Sequence, residues 1–349
     1  MSRRLEFRVL GSCVALSLLL AACKAPPGSS PSPSPSVRSL TGQTPSVIID
    51  TDMAADDWMA ILYLLQRPDV SIEAISVTGA GEAHCGPGIE HALGLVALAG
   101  SDDIPVACGR ETPLEGDHTF PSSWRNAVDN LYGLTLPHGT NPPPDQTAVE
   151  LLTSVIQSSP QKVTLLTLGP LTNVAEALQK SPALADNLEM IYIMGGAVDV
   201  PGNVGGSNRV AEWNIYVDPH AANVVLESGA PITLVSLDAT NHVPLTTAFY
   251  EQLEDDHTSP EATFVFDLLI ENRGFISSGG YYFWDPLAAA ILTDESLADF
   301  EMRQLTVVEE EGPESGYTRP VQDGASVRVA ISADGSRFER IFLDTLNGR

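Results

Sequence analysis

Four carboxylates crowd one short stretch of the chain: Asp50, Asp52, Asp56 and Asp57 in VIIDTDMAADD, residues 47–57. The apolar run Val47–Ile49 reads as a buried strand that delivers them into the turn that follows. The next residues read as a helix, because Trp58, Ile61, Leu62 and Leu65 fall at i, i+3, i+4 and i+7, one apolar stripe, before Pro68 stops it. Asp56 and Asp57 then sit in the first helical turn, where the dipole favours negative charge. A helix terminus supplies at most about 1 kcal/mol per charge, too little to hold four carboxylates together. A hard cation can do so. Oxygen ligands without Cys or His point to Ca²⁺ or Mg²⁺, and a carboxylate able to bind through both oxygens leans toward Ca²⁺. The plainer alternative is an acidic, well-capped surface turn.

The elements that must position this turn alternate along the chain. Ile72–Val77, Ile104–Ala107, Val163–Leu168, Leu188–Met194 and Ile232–Leu237 read as short apolar strands, and Gly88–Ala99, Thr147–Gln157, Leu171–Leu178 and His220–Glu227 read as helices between them. This rhythm predicts an α/β fold, a single domain with an open, largely parallel central sheet flanked by helices. Ligands of such sheets bind beyond the carboxyl ends of the strands. The stretch Thr112–Pro144 has no clear period and is read as a lid-like loop carrying Trp124. The tail from Glu301 is read as edge strands, Leu305–Val308, Ser326–Ile331 and Phe338–Phe342.

With 349 residues, 43% of them hydrophobic, the chain can bury a large core, and its net charge of −27 argues against nucleic acid or an anionic membrane surface as partner. The N-terminus reads as a processing signal. Arg3, Arg4 and Arg8 precede the apolar segment Val9–Leu20, too short for a permanent span, so residues 1–22 are expected to be a signal peptide. The closing Leu20-Ala21-Ala22-Cys23 resembles the bacterial lipobox, which implies cleavage before Cys23, lipidation of its thiol and an extracytoplasmic, membrane-anchored lipoprotein. Residues 23–44 form a Pro/Ser-rich tether, and the folded body is expected over 45–349. Of the cysteines in that body, Cys85 and Cys108, sequence alone does not say whether they pair.

Four further stretches sit where strands should end: GPLTN (Gly169–Asn173), MGG (Met194–Gly196), EWNIYVDP (Glu212–Pro219) and FWDP (Phe283–Pro286). With DTDMAADD, in this order and over nearly all of residues 45–345, they resemble the nucleoside hydrolases, which cleave the N-glycosidic bond of ribonucleosides. The resemblance implies one Ca²⁺ at the bottom of a deep pocket, held by Asp52, Asp57, Asp285 and the backbone carbonyl of Leu168. It implies that Asp56 and Asn214 hold the ribose 2′ and 3′ hydroxyls, that Asn203 and Glu212 reach the 5′ end, and that Met194 lines the sugar face. Glu212 and Asn214 are expected two apart in an extended segment, both facing one pocket. The small-molecule partner implied is a nucleoside, and a homodimer or homotetramer is common in the family.

The chemistry agrees with those roles. Departure of a nucleobase builds positive charge on the ribose ring, which carboxylates can stabilise. Asp52 is expected to remain ionised and to take a proton from the attacking water. Asp50 is expected to orient the ligand carboxylates from behind. The chain also departs from the family pattern. Met53 and Ala54 stand where many members carry Pro and Gly. Ala80 stands where many place an Asn on the ribose, so Glu82 or His84 could replace that contact; the alternative for His84 is a local hydrogen bond. Trp284 precedes the metal Asp where one branch has an acid His, and in this it resembles a purine-preferring branch that stacks the base between aromatic rings. Trp124 is the candidate for the opposite ring, and His242 a candidate proton donor. Purine nucleosides are therefore the expected substrates. The alternatives are a lipid-tethered nucleoside-binding protein without catalysis, or a hydrolase of pyrimidine or nicotinamide nucleosides.

Overall fold

The computed structural model describes residues 44–101, 103–139 and 143–349; the expected signal peptide, Cys23 and all of the expected tether but Thr44 lie outside them. Among the described residues nine strands form one sheet: β1 (Ser46–Thr51), β2 (Ser71–Val77), β3 (Val106–Cys108), β4 (Val163–Thr167), β5 (Leu188–Met194), β6 (Ile232–Val235), β7 (Ala298–Val307), β8 (Thr318–Pro320) and β9 (Ala325–Ala333). Their order is β3-β2-β1-β4-β5-β6-β9-β7-β8. Strands β1 to β6 and β9 run parallel, and β7 turns antiparallel against β9 and β8. β1 is buried throughout because the sheet is covered on both faces, by one core that includes Val47, Ile49 and Trp58 and another that includes Ile48, Leu165 and Val225.

This order has its topological switch between β1 and β4. After β1 the chain winds outward through β2 to β3, then returns to lay β4 on the other side of β1. Loops leaving β1 and β4 part at that point and open a crevice beyond the strand ends. The acidic turn leaves β1 and GPLTN leaves β4, so both enter the crevice.

The expected strands and helices of the parallel half are present within a few residues. Three expectations are corrected. Phe338–Phe342 lies in the helix Gly335–Leu346, not in a strand, and buries Phe338 and Phe342 in the core. EWNIYVDP is not extended: Trp213–Val217 is a short helix capped by Glu212. Thr112–Pro144 is not a plain loop, since it holds the helix Ser122–Asp129 and a 3₁₀ turn at Leu131–Gly133. The helix Ala55–Leu65 is also buried on more than the expected stripe, from Trp58 to Leu64 without interruption, because other helices cover the side that faces away from the sheet. Cys85 and Cys108 form a disulfide that joins the start of the helix Cys85–Leu98 to the end of β3.

Candidate active site

The turn after β1 is built by its own hydrogen bonds. Asp57 Oδ1 accepts from the Thr51 hydroxyl and from the amides of Asp52 (3.2 Å) and Met53 (3.3 Å). Met53 stands at φ 60°, a left-handed conformation closed to proline. Its amide also donates to Thr51 Oγ1 at 2.9 Å. The departure from the family's Pro is thus accommodated by an amide that proline lacks.

Asp52 Oδ2 accepts from the Glu82 amide at 3.1 Å, and Oδ1 from the Ala54 amide at 3.4 Å. Two glycines make room for it. A Cβ on Gly81 would lie 2.0 Å from Asp52 Cβ, and one on Gly169 2.6 Å from it. The loop after β2 and GPLTN after β4 therefore close on Asp52 from both sides, and any larger residue at either place would displace the carboxylate.

Asp285 arrives from the far end of the chain, in the first turn of the helix Trp284–Thr293, which packs against Ala55–Leu65. Oxygens of Asp56, Asp57 and Asp285 lie within 4.8 Å of one another. Asp57 Oδ2 and Asp285 Oδ1 are buried without a hydrogen-bond partner. Burial and like charge act together here. Burial, then the charge of Asp52, pushes the Asp56 carboxyl up to about 7. Burial likewise lifts Asp57 to about 7, against a hydrogen bond with Asp285 and with the charge of Asp56 adding to the rise. Asp52 and Asp285 are held well above the usual carboxylate range by burial first and then by their acidic neighbours. Orphaned buried oxygens on an all-oxygen donor set fit a hard divalent cation, which would draw these carboxyls back to their ionised form.

Asp50 takes a different part from the one expected. Its Oδ1 accepts from Ser76 Oγ (2.5 Å) and Asn173 Nδ2 (2.9 Å), and Asn173 also donates to the Val77 carbonyl at 3.0 Å. It ties GPLTN to β1 and β2 and bonds neither Asp52 nor Asp57. Burial pushes its carboxyl up to about 7 despite those two bonds.

A cavity of roughly 500 Å³ opens above this acidic floor. Asp52, Asp56, Asp57, Glu82, Leu168, Met194, Asn203, Glu212, Asn214, Trp124, Trp284 and Asp285 all line it, so the structure gathers nearly all the residues singled out in the sequence. Asn214 Nδ2 donates to the carbonyls of Leu168 (3.1 Å) and Met194 (3.3 Å). A carbonyl has a second lone pair, so the Leu168 oxygen can still serve a cation. Glu212 caps its short helix, accepting from the amides of Asn214 (2.9 Å) and Ile215 (3.2 Å), and holds the Gly196 amide at 2.9 Å. Burial raises its carboxyl against those bonds. Asn203 Oδ1 accepts from the Trp213 amide at 3.1 Å.

Two histidines fall outside. The His84 ring binds Asp129 (Nδ1 to Oδ2, 2.6 Å) and does not line the cavity, so of the two residues only Glu82 does. His242 is exposed in a turn away from the cavity.

Phe120, Tyr132, Trp213, Phe275 and Tyr281 also line the cavity and were not singled out. Trp213 stood inside a recognised motif and could have been found there. The others lie in stretches with neither period nor motif. The rings form two walls. Phe120 stacks on Trp213 with centroids 5.2 Å apart, and Trp124 meets Trp213 edge-on at 5.3 Å. In the second, Tyr281 and Phe275 sit 5.7 and 6.4 Å from Trp284. Trp124 and Phe275 are 42% and 46% exposed, which places the aromatic end at the mouth and the carboxylates at the base.

A sequence profile described as inosine-uridine preferring nucleoside hydrolase matches residues 47–340. The chain therefore belongs to that family, whose members are N-glycosyl hydrolases. It is 37% identical over 206 residues to uridine nucleosidase 1 of Arabidopsis thaliana, a match covering 59% of this chain and 60% of that protein. It is 36% identical over 223 residues to the pyrimidine-specific ribonucleoside hydrolase RihA of Salmonella arizonae, covering 64% and 70% of the two chains. The purine-preferring ribonucleoside hydrolase of Gardnerella vaginalis superposes with a TM-score of 0.76 at 27% identity, covering 87% of this chain and 98% of that one.

Proposed function

We propose that this chain hydrolyses the N-glycosidic bond of ribonucleosides, releasing ribose and free base, with Ca²⁺ as the cation and purine nucleosides favoured. The observation that carries this reading is the polarity of one cavity, with buried carboxylates at its base and rings at its mouth. A ribonucleoside has the matching polarity, a diol at one end and a flat base at the other.

Asp52, Asp57, Asp285 and the Leu168 carbonyl would hold the cation. When bound it supplies positive charge that anchors the sugar diol and acidifies a water. Asp56 and Asn214 accept and donate to the 2′ and 3′ hydroxyls, and Asn203 and Glu212 meet the 5′ end. Asp52, fixed by the Glu82 and Ala54 amides, receives the proton of the attacking water. Surrounding carboxylates stabilise positive charge as it grows on the ribose ring. The base leaves between Trp284 and the opposite aromatic wall, a contact worth about 1–3 kcal/mol per base. Among the described residues no histidine lines the cavity, so the leaving base takes its proton from solvent, with stacking raising the basicity of its ring nitrogens.

The names of the curated relatives favour a second reading, a pyrimidine nucleoside as substrate. Inosine, adenosine, guanosine, uridine and cytidine presented to wild type and Trp284→His distinguish the two. Purine preference in wild type, lost in Trp284→His, supports stacking; uridine preference in wild type removes it. The carboxylate set and the family set aside a nucleoside receptor without catalysis. Lipidation at Cys23, an extracytoplasmic site and a homodimer or homotetramer complete the proposal. The Cys85–Cys108 disulfide supports an oxidising compartment.

A further inference from the structure

Two of the segments that line the cavity share no secondary-structure element, and side chains of the second reach across to the first. The first segment is the loop after β2, which places Glu82 in the cavity and ends at His84 and Cys85, where the disulfide fixes it to the end of β3. The second is Ser122–Gly133, which places Trp124 and Tyr132 in the cavity. Asp129 spans the gap with both oxygens. Oδ1 accepts from the His84 amide at 2.9 Å and Oδ2 from the ring Nδ1–H at 2.6 Å. One helical turn earlier, Arg125 donates to the Gly79 carbonyl at 2.9 Å.

The segment beyond Asp129 is strained. Leu131 and Tyr132 both adopt left-handed conformations, at φ 51° and 52°. Neither residue favours that region, and such a conformation persists only where the surroundings enforce it. Tyr132 packs edge-on to the core Trp58 at 6.1 Å, which anchors its far side. On the near side the constraint is Asp129, three residues back.

We propose that the His84–Asp129 pair is a positioning device: it holds Trp124 and Tyr132 at a fixed distance from Glu82 and so sets how well the cavity receives the nucleoside. Neither His84 nor Asp129 lines the cavity, so their effect passes through the residues they hold. This rests on the nucleoside reading above only for the identity of the ligand; the coupling of the two segments stands on the geometry.

The test measures amide hydrogen exchange over residues 120–133 together with KM and kcat, in wild type, Asp129→Ala and His84→Ala. His84→Ala keeps the backbone bond and loses the ring bond. Loss of charge-assisted hydrogen bonds is expected to speed exchange across 120–133 by about tenfold in Asp129→Ala and less in His84→Ala. KM is expected to rise by about tenfold with kcat within about twofold, since the groups that act on the sugar are untouched. Asp129→Glu, which restores a carboxylate, is expected to recover part of both. Exchange over 120–133 unchanged in Asp129→Ala overturns the proposal whatever the activity. So does faster exchange with KM at the wild-type value. Should wild type release ribose from no nucleoside, the substrate reading fails, and the exchange of Asp129→Ala alone decides the coupling.

Discussion

Asp57 and Asp285 bring carboxylate oxygens within 4.8 Å of each other from opposite ends of the folded body, and each keeps one buried oxygen without a hydrogen bond. Such a pair opposes folding unless positive charge lies between its members. A ligand that binds only the folded chain stabilises it by about 2.7 kcal/mol at a hundred times its dissociation constant. Ca²⁺ is therefore expected to raise the melting temperature by several degrees, and a chelator to reverse the gain. Asp285→Asn should lose the increment while melting no lower than wild type in chelator, because it also removes a like charge. An identical Ca²⁺ increment in that variant would place the cation elsewhere.

The same crowding fixes a pH dependence. Asp50, Asp56 and Asp57 have folded-state pKa values pushed up to about 7, above the ~3.9 of an unfolded Asp. Each binds its proton more tightly when folded. Their stabilisation is complete below the unfolded value and is lost as pH rises through about 7. Urea unfolding in chelator should show this contribution falling from about pH 4 to about pH 7, with Asp57→Asn flattening the slope. Saturating Ca²⁺ should flatten it too. A slope equal in wild type and Asp57→Asn would refute the assignment.

Asp52→Ala is expected to lower kcat by about 10² to 10⁴, the usual worth of a positioned general base, with the far-ultraviolet dichroism unchanged. The backbone amides that hold Asp52 belong to turns that keep other anchors, such as the bond between the Ala83 amide and the Asp52 carbonyl at 2.9 Å. Turnover close to wild type in the purified variant would remove Asp52 as the base.

Asp50 predicts a stability effect. Asp50→Ala strips Ser76 and Asn173 of a buried acceptor and should cost about 2–4 kcal/mol in urea denaturation. Asp50→Asn, which keeps one acceptor oxygen, should cost less. Equal stability of Asp50→Ala and wild type would show that Asn173 finds another partner.

The base of the site was legible in the sequence and the mouth was not. Asp50 to Asp57 lie within eight residues at the end of an apolar strand, so strand, turn and first helical turn follow from local pattern alone. GPLTN was legible as a motif because a strand end is a fixed place in a parallel sheet; FWDP, expected at a strand end as well, instead opens the helix Trp284–Thr293 with a helix rather than a strand before it. The part of Asp50 was misjudged because Ser76 and Asn173 come from other strands' ends, and no local spacing shows which carboxylate they will reach. Glu212 was expected in an extended run, yet it caps a helix: a five-residue helix has too few turns to show a period.

What the sequence determined by itself is the sequence of strands and helices of the parallel half and the oxygen-only donor set, since both depend on side-chain periodicity and type within a few residues. Tertiary structure decided the rest. It put Glu82 rather than His84 in the cavity lining, with the imidazole held by Asp129, remote in sequence. It joined Cys85 to Cys108 by setting β3 beside β2. It assembled two aromatic walls from segments whose meeting depends on how helices pack over the sheet, a property of three-dimensional shape that no stretch of chain contains.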